Sequence, residues 1–413
     1  MASPRDYLIH LLTEAAEIEH NLLCSYLYAA FSLKARDCAT LSVAERGLVG
    51  AWRKSIVGVA IEEMGHLALV NNLLVAIGGA PHFDRPNLPV PAGYHPSSFV
   101  IRLAPFTRET LEHFVFLERP AQSKVRDGDG AYRHEGPARR QTPGHLTPST
   151  PDYETIGAFY DEIRHALRAF GESCAEDAFV ASSLAQQLSP DDIDLPGLRT
   201  IQDMDDALQA LEAIVEQGEG SSGEKEDCHF MRFIGIRQEW DDALRANPRF
   251  LPYHQAALDP VMRKPAAGLE RVWVTEPDAA RLVDLGNALY AVTLTLLKHA
   301  YTPGMGNRRQ LIDGAMSLMH VLGGIGSTLA RMPAEAGGGV NAGMTFAVPR
   351  NLHALPPHRA DQFLRERLVH LYEASAGFAP DAAAEIEKVL ARYGRAADRE
   401  SERGEAGRVA AAE

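Results

Sequence analysis

The sequence feature that most constrains this chain is an apolar helix with charged residues in its buried stripe. Residues 56–77 read IVGVAIEEMGHLALVNNLLVAI. Steps of three and four residues from Ile56 place Glu63 and His66 on the same face as apolar side chains. Burying an unpaired carboxylate is costly, and a divalent metal held from adjacent turns is the most economical partner. This stretch therefore predicts half of a metal site.

A second Glu-x-x-His pair completes the pattern that a two-metal site needs. Glu226 and His229 open a predicted helix, EDCHFMRFIGIRQEWDDAL, whose inward stripe continues through Phe233, Ile236 and Trp240. Two such pairs, each in phase with an apolar face, match the helical bundles that bind two iron or two manganese ions. Those bundles also take one glutamate from each of two further helices.

Glu19 is the candidate for the first of these two glutamates. The helix predicted from Arg5 to Lys34 has an inward stripe from Leu8 to Leu33 that is apolar or aromatic at every position except Glu19. Because a lone carboxylate in a buried stripe needs a partner, we interpret Glu19 as the third carboxylate of the site.

The fourth carboxylate is not fixed by the pattern. Glu216 and Glu219 lie near the end of a predicted helix, just before the loop that leads to Glu226. Residues close to a short turn between antiparallel helices face one another, so either could lie level with Glu226. Glu162, on an earlier predicted helix, is the alternative. The spacing favours Glu219 and leaves the other two open.

The same patterns predict an all-α chain with two parts. Residues 1–246 form the four-helix bundle, interrupted at about 81–152 by a Pro- and Gly-rich insertion. Residues 247–395 add helices that pack on the bundle, and residues 396–413 have the composition of a disordered tail.

The insertion contains little regular structure in this interpretation. It has a strand-like run from Phe99 to Leu103 and a short helix near Thr107 to Leu117. Residues 124–150 have charge, Gly and Pro without an apolar period, which is typical of a long loop. Since long loops in compact domains are often functional, this loop is a candidate lid over an active site.

Charge and cysteine content indicate which classes of partner this protein is expected to bind. Its formal net charge of −14 disfavours nucleic acid or an anionic membrane as the main partner. The four cysteines form no CxxC motif, and the N-terminus lacks the features of a signal peptide. We therefore expect a cytoplasmic protein whose partner is a small-molecule substrate. The long insertion and the C-terminal helices argue against a cage of short subunits, so the expected assembly is at most a homodimer.

The chain also resembles the ferritin-like domain family of the iminophenyl-pyruvate dimer synthases, enzymes of bisindole pigment pathways such as violacein and rebeccamycin. The similar stretches are EIEHNLLCSYLYAAFSL, AIEEMGHLALVNNLLVAIGGAP, TIGAFY, IVEQGEG, CHFMRF and NAGMTFAVP. The resemblance implies a ferritin-like four-helix bundle whose metal ligands are Glu19, Glu63, His66, Glu219, Glu226 and His229. Because the full-length synthases carry a further large region, it implies the fold and metal site of a standalone member rather than the dimerisation of indole imines.

The function expected from these residues is that of a non-haem di-iron oxidase or oxygenase. It would use two iron ions and dioxygen, with Tyr26 or Glu62 supplying a proton. The resemblance alone implies a small amino-acid-derived or aromatic substrate in secondary metabolism. Three alternatives remain: a manganese catalase with the same ligands, an iron-storage or ferroxidase protein, and a purely structural bundle without metal.

Overall fold

The computed structural model describes residues 3–392 apart from residues 36, 122, 126–145, 175–177, 219, 221–226, 270, 303–307, 351 and 353–354. Within these ranges the protein is all-α, which confirms the predicted class. Its β structure there consists of isolated bridges, including Val90–Ile101 and Val261–Trp273. The first bridge falls on the predicted strand-like run from Phe99 to Leu103, which is too short to build a sheet.

Nine helices with defined bounds and a further helical stretch make up the described fold. They are α1 (Pro4–Ser32), α2 (Val43–Ala76), α3 (Arg108–Leu117), α4 (Ile156–Cys174), α5 (Met204–Gly218), α6 (His229–Ala246), α7 (Pro277–Ala300), α8 (Arg308–Leu329) and α9 (Pro357–Ser375), followed by α10 (residues 380–392).

The long helices α1 and α2 form an antiparallel pair. At one end, the Arg5 guanidinium of α1 donates to the carbonyl oxygen of Ile77, just past α2. At the other end, Arg53 of α2 donates to the carbonyl oxygen of Ala30 at 3.0 Å. The middles of the two helices, which carry the candidate ligands Glu19, Glu63 and His66, therefore lie side by side.

Local sequence sets the ends of α2. Ser42 and Glu45 form a capping box, in which each side chain accepts a hydrogen bond from the backbone N–H of the other, at distances of 3.3 and 2.7 Å. The helix ends before Gly78, whose φ of +85° is a conformation that glycine adopts without a steric penalty.

A second group of helices packs around this pair. α3 and α6 pack on each other, α6 also contacts α2, α4 lies on α1, and α5 bridges α4 and α2. An aromatic cluster of Tyr26 (α1), Phe114 (α3) and Phe233 (α6) joins three of these helices, with ring centroids 4.7 to 5.4 Å apart. Such contacts fix the relative position of helices that are distant in sequence.

The C-terminal helices cover the other side of α1. α7 and α8 pack on each other, and Arg308 at the start of α8 donates to the carbonyl oxygen of Ala300 at the end of α7 at 2.8 Å. α8 packs against α1, and α9 packs against α7. At the α8–α1 contact the backbone of Gly326 lies directly against the ring of Phe31.

Two helices have the length and hydropathy of a membrane span. They are α2 and α7, both with a mean hydropathy of 1.2 in their most apolar window. These windows are 83% and 56% buried inside the protein, respectively. Buried apolar helices of this kind are those expected at the core of a helical protein.

The close approach of α8 to α1 gives a stability prediction. In Gly326→Ala the added methyl group would overlap the Phe31 ring. We expect a loss of about 1–3 kcal/mol, seen as a lower Tm. The matched control is Gly324→Ala, because that glycine is exposed and an added Cβ meets no atom within 4 Å. There we expect a gain of about 0.5–1 kcal/mol, since alanine is the better helix former. Equal Tm changes in the two variants would contradict this account of the contact.

Candidate metal centre

The carboxylate of Glu63 lies between two imidazole rings. Its Oε2 is 3.0 Å from Nδ1 of His66 on the same helix, and its Oε1 is 3.1 Å from Nδ1 of His229 on α6. The two rings face one another with centroids 5.6 Å apart. All three side chains are at most 2% exposed. One buried glutamate thus joins the two histidines that the sequence singled out.

Two further glutamates complete a pair of potential metal-binding groups. Oε2 of Glu19 is 3.4 Å from Nδ1 of His66, and Oε2 of Glu118 is 3.5 Å from Nδ1 of His229. Within each group, one Glu19–Glu63–His66 and the other Glu63–Glu118–His229, the possible ligand atoms lie within 4.8 Å of one another. Each group has one nitrogen and two carboxylates, and Glu63 belongs to both.

A buried tyrosine fixes each outer carboxylate. The hydroxyl of Tyr160 on α4 donates a short hydrogen bond to Oε1 of Glu19, and the hydroxyl of Tyr26 on α1 donates one to Oε1 of Glu118. Each bond leaves the Oε2 atom directed at a histidine. Burial and the neighbouring glutamates raise the pKa of both tyrosines well above the ordinary value, so both phenols keep their protons near neutral pH.

The outer nitrogens of the histidines point to acceptors. His66 Nε2 lies 2.8 Å from Oε1 of Gln217, and His229 Nε2 lies 2.8 Å from Oε2 of Glu62. Because these oxygens accept, each Nε2 carries the hydrogen, and in a neutral ring Nδ1 is then left with the lone pair. Both histidines therefore turn their potential metal-binding nitrogen towards Glu63.

Protons balance the charges in the metal-free site. Burial and the charge of Glu63 raise the pKa of Glu19 to about 8. Burial alone would lower the pKa of His66, but Glu63 and Glu19 raise it to about 10. Burial works against ionisation of Glu63, yet the two histidines hold its pKa well below the usual range. Metal ions would take the place of these protons, because metal ligands must be deprotonated.

The surroundings of Nδ1 of His229 indicate whether the residues fit a bound cation. Nδ1 of His229 is buried and has no hydrogen bond of acceptable geometry to any described residue. It nevertheless faces carboxylate oxygens of Glu63 and Glu118 at 3.1 and 3.5 Å. A nitrogen lone pair and two carboxylates around one buried point suit iron, manganese or zinc. The donor set therefore fits a pair of divalent metals.

The space beside these ligands is small. A cavity of about 20 Å³ lies among Glu19, Glu63, Glu118 and Tyr160. A volume of this size holds about one water molecule. The described side chains therefore exclude bulk solvent from the candidate centre.

The structure brings four of the predicted ligands together, namely Glu19, Glu63, His66 and His229. Glu219 and Glu226, also predicted as ligands, lie outside the described residues, and α6 begins at His229 rather than at the predicted Glu226. The predicted pairing of Glu226 with His229 on one helix face is therefore left as a prediction.

The two alternatives for the fourth carboxylate lie apart from both ligand groups. Glu216 lines a cavity of about 490 Å³ on the outer side of Glu62 and Gln217. Glu162 accepts a hydrogen bond from the Tyr7 hydroxyl at 2.8 Å and lines a different cavity. Among the described residues, neither belongs to a group that could hold a metal.

Glu118 is the site residue that the sequence analysis missed. It is the C-cap of α3, the short helix predicted inside the insertion. Steps of three and four residues connect Leu111, Phe114 and Glu118 on one face of α3, and Leu111 and Phe114 are buried. This is the pattern that identified Glu19, and it could have identified Glu118 too. Glu118 differs from the predicted ligands because it ends a ten-residue helix inside the insertion, whereas they were assigned to the helices of the bundle.

The fold and this centre agree with a match to a known protein family. A model of the ferritin-like family matches residues 12–238, more than half of the 413-residue chain. The match spans all five residues of the two ligand groups. This chain belongs to the ferritin-like family. A solved ferritin-like protein from Caulobacter vibrioides agrees in fold, with a TM-score of 0.52 at 20% identity over 83% of this chain and 99% of that one.

Two characterised relatives are similar over most of this chain. The dichlorochromopyrrolate synthase of Lentzea aerocolonigenes is 26% identical over 90% of this chain and 39% of its own length. The 2-imino-3-(indol-3-yl)propanoate dimerase of Chromobacterium violaceum is 26% identical over 75% of this chain and 30% of its own length. The resemblance to the pigment synthases is thereby confirmed. This chain spans less than half the length of either relative.

Substitution of Glu118 tests the composition of the centre. Glu118→Gln keeps the side-chain size but removes one of two carboxylates from its ligand group. We expect metal affinity to fall by about 10- to 100-fold, measured by titration of metal-free protein with Fe²⁺ or Mn²⁺. Glu162→Gln is the matched control and should bind metal as the unaltered protein does. Loss of metal in the control variant alone would assign the fourth carboxylate to α4 instead.

The same charges predict how the stability of the metal-free protein depends on pH. The His66 contribution is present below the ordinary histidine pKa of 6.5 and is lost as the pH rises to about 10. The Glu19 contribution is present below 4.5 and is lost as the pH rises to about 8, in the same direction. Glu63 is ionised in both the folded and the unfolded state across this pH window, so it does not change the pH dependence of stability. We therefore expect the Tm in chelator to fall between about pH 7 and pH 10.

Metal loading supplies the comparison for this measurement. Bound cations would replace the protons of His66 and Glu19, so the Tm of metal-loaded protein should fall less over the same window. A Tm in chelator that stays constant or rises with pH would show that these two groups do not carry the charge balance.

Proposed function

We propose that this protein is a non-haem di-iron oxidase or oxygenase that uses dioxygen on a small amino-acid-derived or aromatic substrate. The observation that supports this proposal is the pair of buried ligand groups sharing Glu63, with all possible ligand atoms in each group within 4.8 Å. A purely structural bundle would gain nothing from burying three carboxylates and two imidazoles at one point, because each must first be desolvated.

Each side chain would have a defined role in holding the metal ions. Glu19 and His66 would hold one ion, Glu118 and His229 the other, and Glu63 would bridge them. When bound, a pair of iron ions supplies redox chemistry in which two electrons pass between the metals and dioxygen. The enclosing helices exclude water, which strengthens every electrostatic interaction inside the centre.

Tyr26 and Glu62, the two residues expected to move protons, have different environments. Tyr26 keeps its proton near neutral pH and holds it against Glu118, so we propose Tyr26 as the proton-holding group next to the reacting centre. Burial opposes ionisation of Glu62, but His229 and Arg232 lower its pKa. An ionised Glu62 accepts from His229 Nε2, and we propose that it positions this histidine.

The proposed substrate class follows from the relatives. One relative is named for 2-imino-3-(indol-3-yl)propanoate and the other for dichlorochromopyrrolate synthesis. In an oxidase reaction on such an imino acid, the substrate loses two electrons and two protons and dioxygen accepts them. The loop predicted as a lid, residues 124–150, lies largely outside the described residues, and its role over the active site belongs to this proposal.

Metal analysis combined with oxygen uptake tests the function. Protein from iron-replete cells should contain iron and consume dioxygen when indole-3-pyruvate and ammonium supply the imino acid. We expect Glu63→Ala to lower this rate by about 100-fold or more, because both ligand groups lose their shared carboxylate. Glu162→Gln should retain the rate.

Two other results would replace this function. Rapid peroxide decay in manganese-loaded protein, without oxygen uptake in iron-loaded protein, would assign a manganese catalase. Iron uptake by a large multi-subunit particle that oxidises no organic substrate would assign a ferroxidase or storage protein.

A further inference from the structure

A large cavity lies among the C-terminal helices, away from the candidate metal centre. Its volume is about 1200 Å³, and none of its lining residues belongs to either ligand group. One face of α7 forms its floor, and Phe363 and Arg367 of α9 form one wall. Another wall consists of the described residues Thr345, Ala347, Val348, Pro349, Arg350, Leu352 and Leu355. A cavity of this size accommodates a ligand as large as a typical drug molecule.

The charge of this cavity is opposite to that of the protein. Four arginines line it, Arg263, Arg271, Arg350 and Arg367, and Asp284 is the acidic residue among the described lining. None of the four forms an ion pair with a described carboxylate, although the chain as a whole has a net charge of −14. Arg367 is hydrogen-bonded to Nδ1 of His370 at 2.9 Å and the charge of Arg271 acts on Asp259, whereas Arg263 and Arg350 are exposed. Guanidinium groups around a concave surface attract an anion, and their planar shape suits a carboxylate.

Part of the floor of the cavity is apolar, while Asp284, Asn287 and Thr295 also line it from α7. Ala288, Ala291 and Val292 line it from successive turns of α7, with Leu352 beside them. Phe363 at the rim is 39% exposed, which is high for a large apolar side chain. Apolar walls with a few charged groups are typical of sites for organic ligands rather than for inorganic ions.

Two strained residues flank the walls of this cavity. Asp259, next to the lining segment that starts at Pro260, has a φ of 43°, and Phe346, inside the segment that lines the opposite wall, has a φ of 45°. They are the described non-glycine residues with a positive φ. Such conformations cost free energy and are concentrated at binding and catalytic sites.

Side-chain hydrogen bonds hold both walls in place. Arg102 donates to the carboxylate of Asp259 at 2.9 Å, and the buried Arg85 donates to the carbonyl oxygen of Phe346 at 2.5 Å. Asn287 accepts from the Thr345 hydroxyl at 2.8 Å and from the Ala347 N–H at 3.0 Å. The cavity is therefore formed without a ligand, which lowers the entropic cost of binding one.

From the arginines, the apolar floor and the fixed walls, we infer that this cavity binds an aromatic organic acid. The carboxylate lies among the arginine side chains, and the aromatic body lies on α7 against Phe363. Inorganic phosphate could use the arginines but would leave the apolar floor in water, and an uncharged aromatic molecule would leave the arginines unpaired. The ligand must carry both groups.

Calorimetric titration of the purified full-length chain with three probes tests this inference. Indole-3-acetate has both groups, indole-3-ethanol lacks the carboxylate, and inorganic phosphate lacks the aromatic ring. We expect indole-3-acetate to bind about tenfold or more tightly than either of the others, because each lacks one of the two interactions. The titration uses metal-free protein, so its outcome does not depend on the function of the metal centre.

Paired variants localise the binding. Arg263→Gln with Arg350→Gln removes two exposed cavity charges, and we expect about a tenfold or larger rise in the Kd for indole-3-acetate. The control combines Arg168→Gln with Arg249→Gln, two exposed arginines outside the cavity, and should keep the original Kd. Equal affinities for indole-3-acetate and indole-3-ethanol, tighter binding of phosphate, or an unchanged Kd in the cavity variant would each overturn the inference.

Discussion

The structure around the candidate centre depends on the burial of Glu63 between two imidazoles. A carboxylate that is 2% exposed is unstable unless opposite charge lies next to it, and here His66 and His229 lie 3.0 and 3.1 Å away. Glu19 and Glu118 are buried too, so their negative charges also need neighbouring positive charge. A pair of divalent cations would supply it to all three carboxylates, and protons supply it in the metal-free protein.

The helices around the centre hold these ligands in nearly symmetric surroundings. Each outer carboxylate accepts from a buried tyrosine, Tyr160 or Tyr26, and each histidine directs its outer nitrogen to an acceptor, Gln217 or Glu62. These tyrosines and acceptors come from α1, α2, α4 and α5. Preorganisation of this kind lets a centre bind metal without further ordering of its side chains. It also explains why helices far apart in sequence must pack in one arrangement.

The C-terminal helices add a surface of opposite character. The metal centre concentrates carboxylates in a space for about one water molecule, whereas the cavity beside α7 offers arginines and an apolar floor in about 1200 Å³. Glycines allow the C-terminal part of the chain to approach α1 closely, as Gly326 of α8 does at Phe31 and Gly343, between α8 and α9, does at Tyr28. One chain therefore combines a closed ligand cluster for cations with an open cavity suited to organic anions.

The sequence by itself determined the all-α class, the capping box of α2 and the placement of Glu19, Glu63, His66 and His229 on buried faces. These properties depend on residues three or four apart, and helical periodicity converts such spacing directly into position in space. Only the tertiary structure decided that Glu118 faces His229, while Glu216 and Glu162 lie elsewhere. Which carboxylate reaches a common point depends on how helices separated by a hundred residues pack, and local spacing carries no information about that packing. The arginine cavity was also beyond the sequence, because its charges come from three separate segments that meet only in the folded chain.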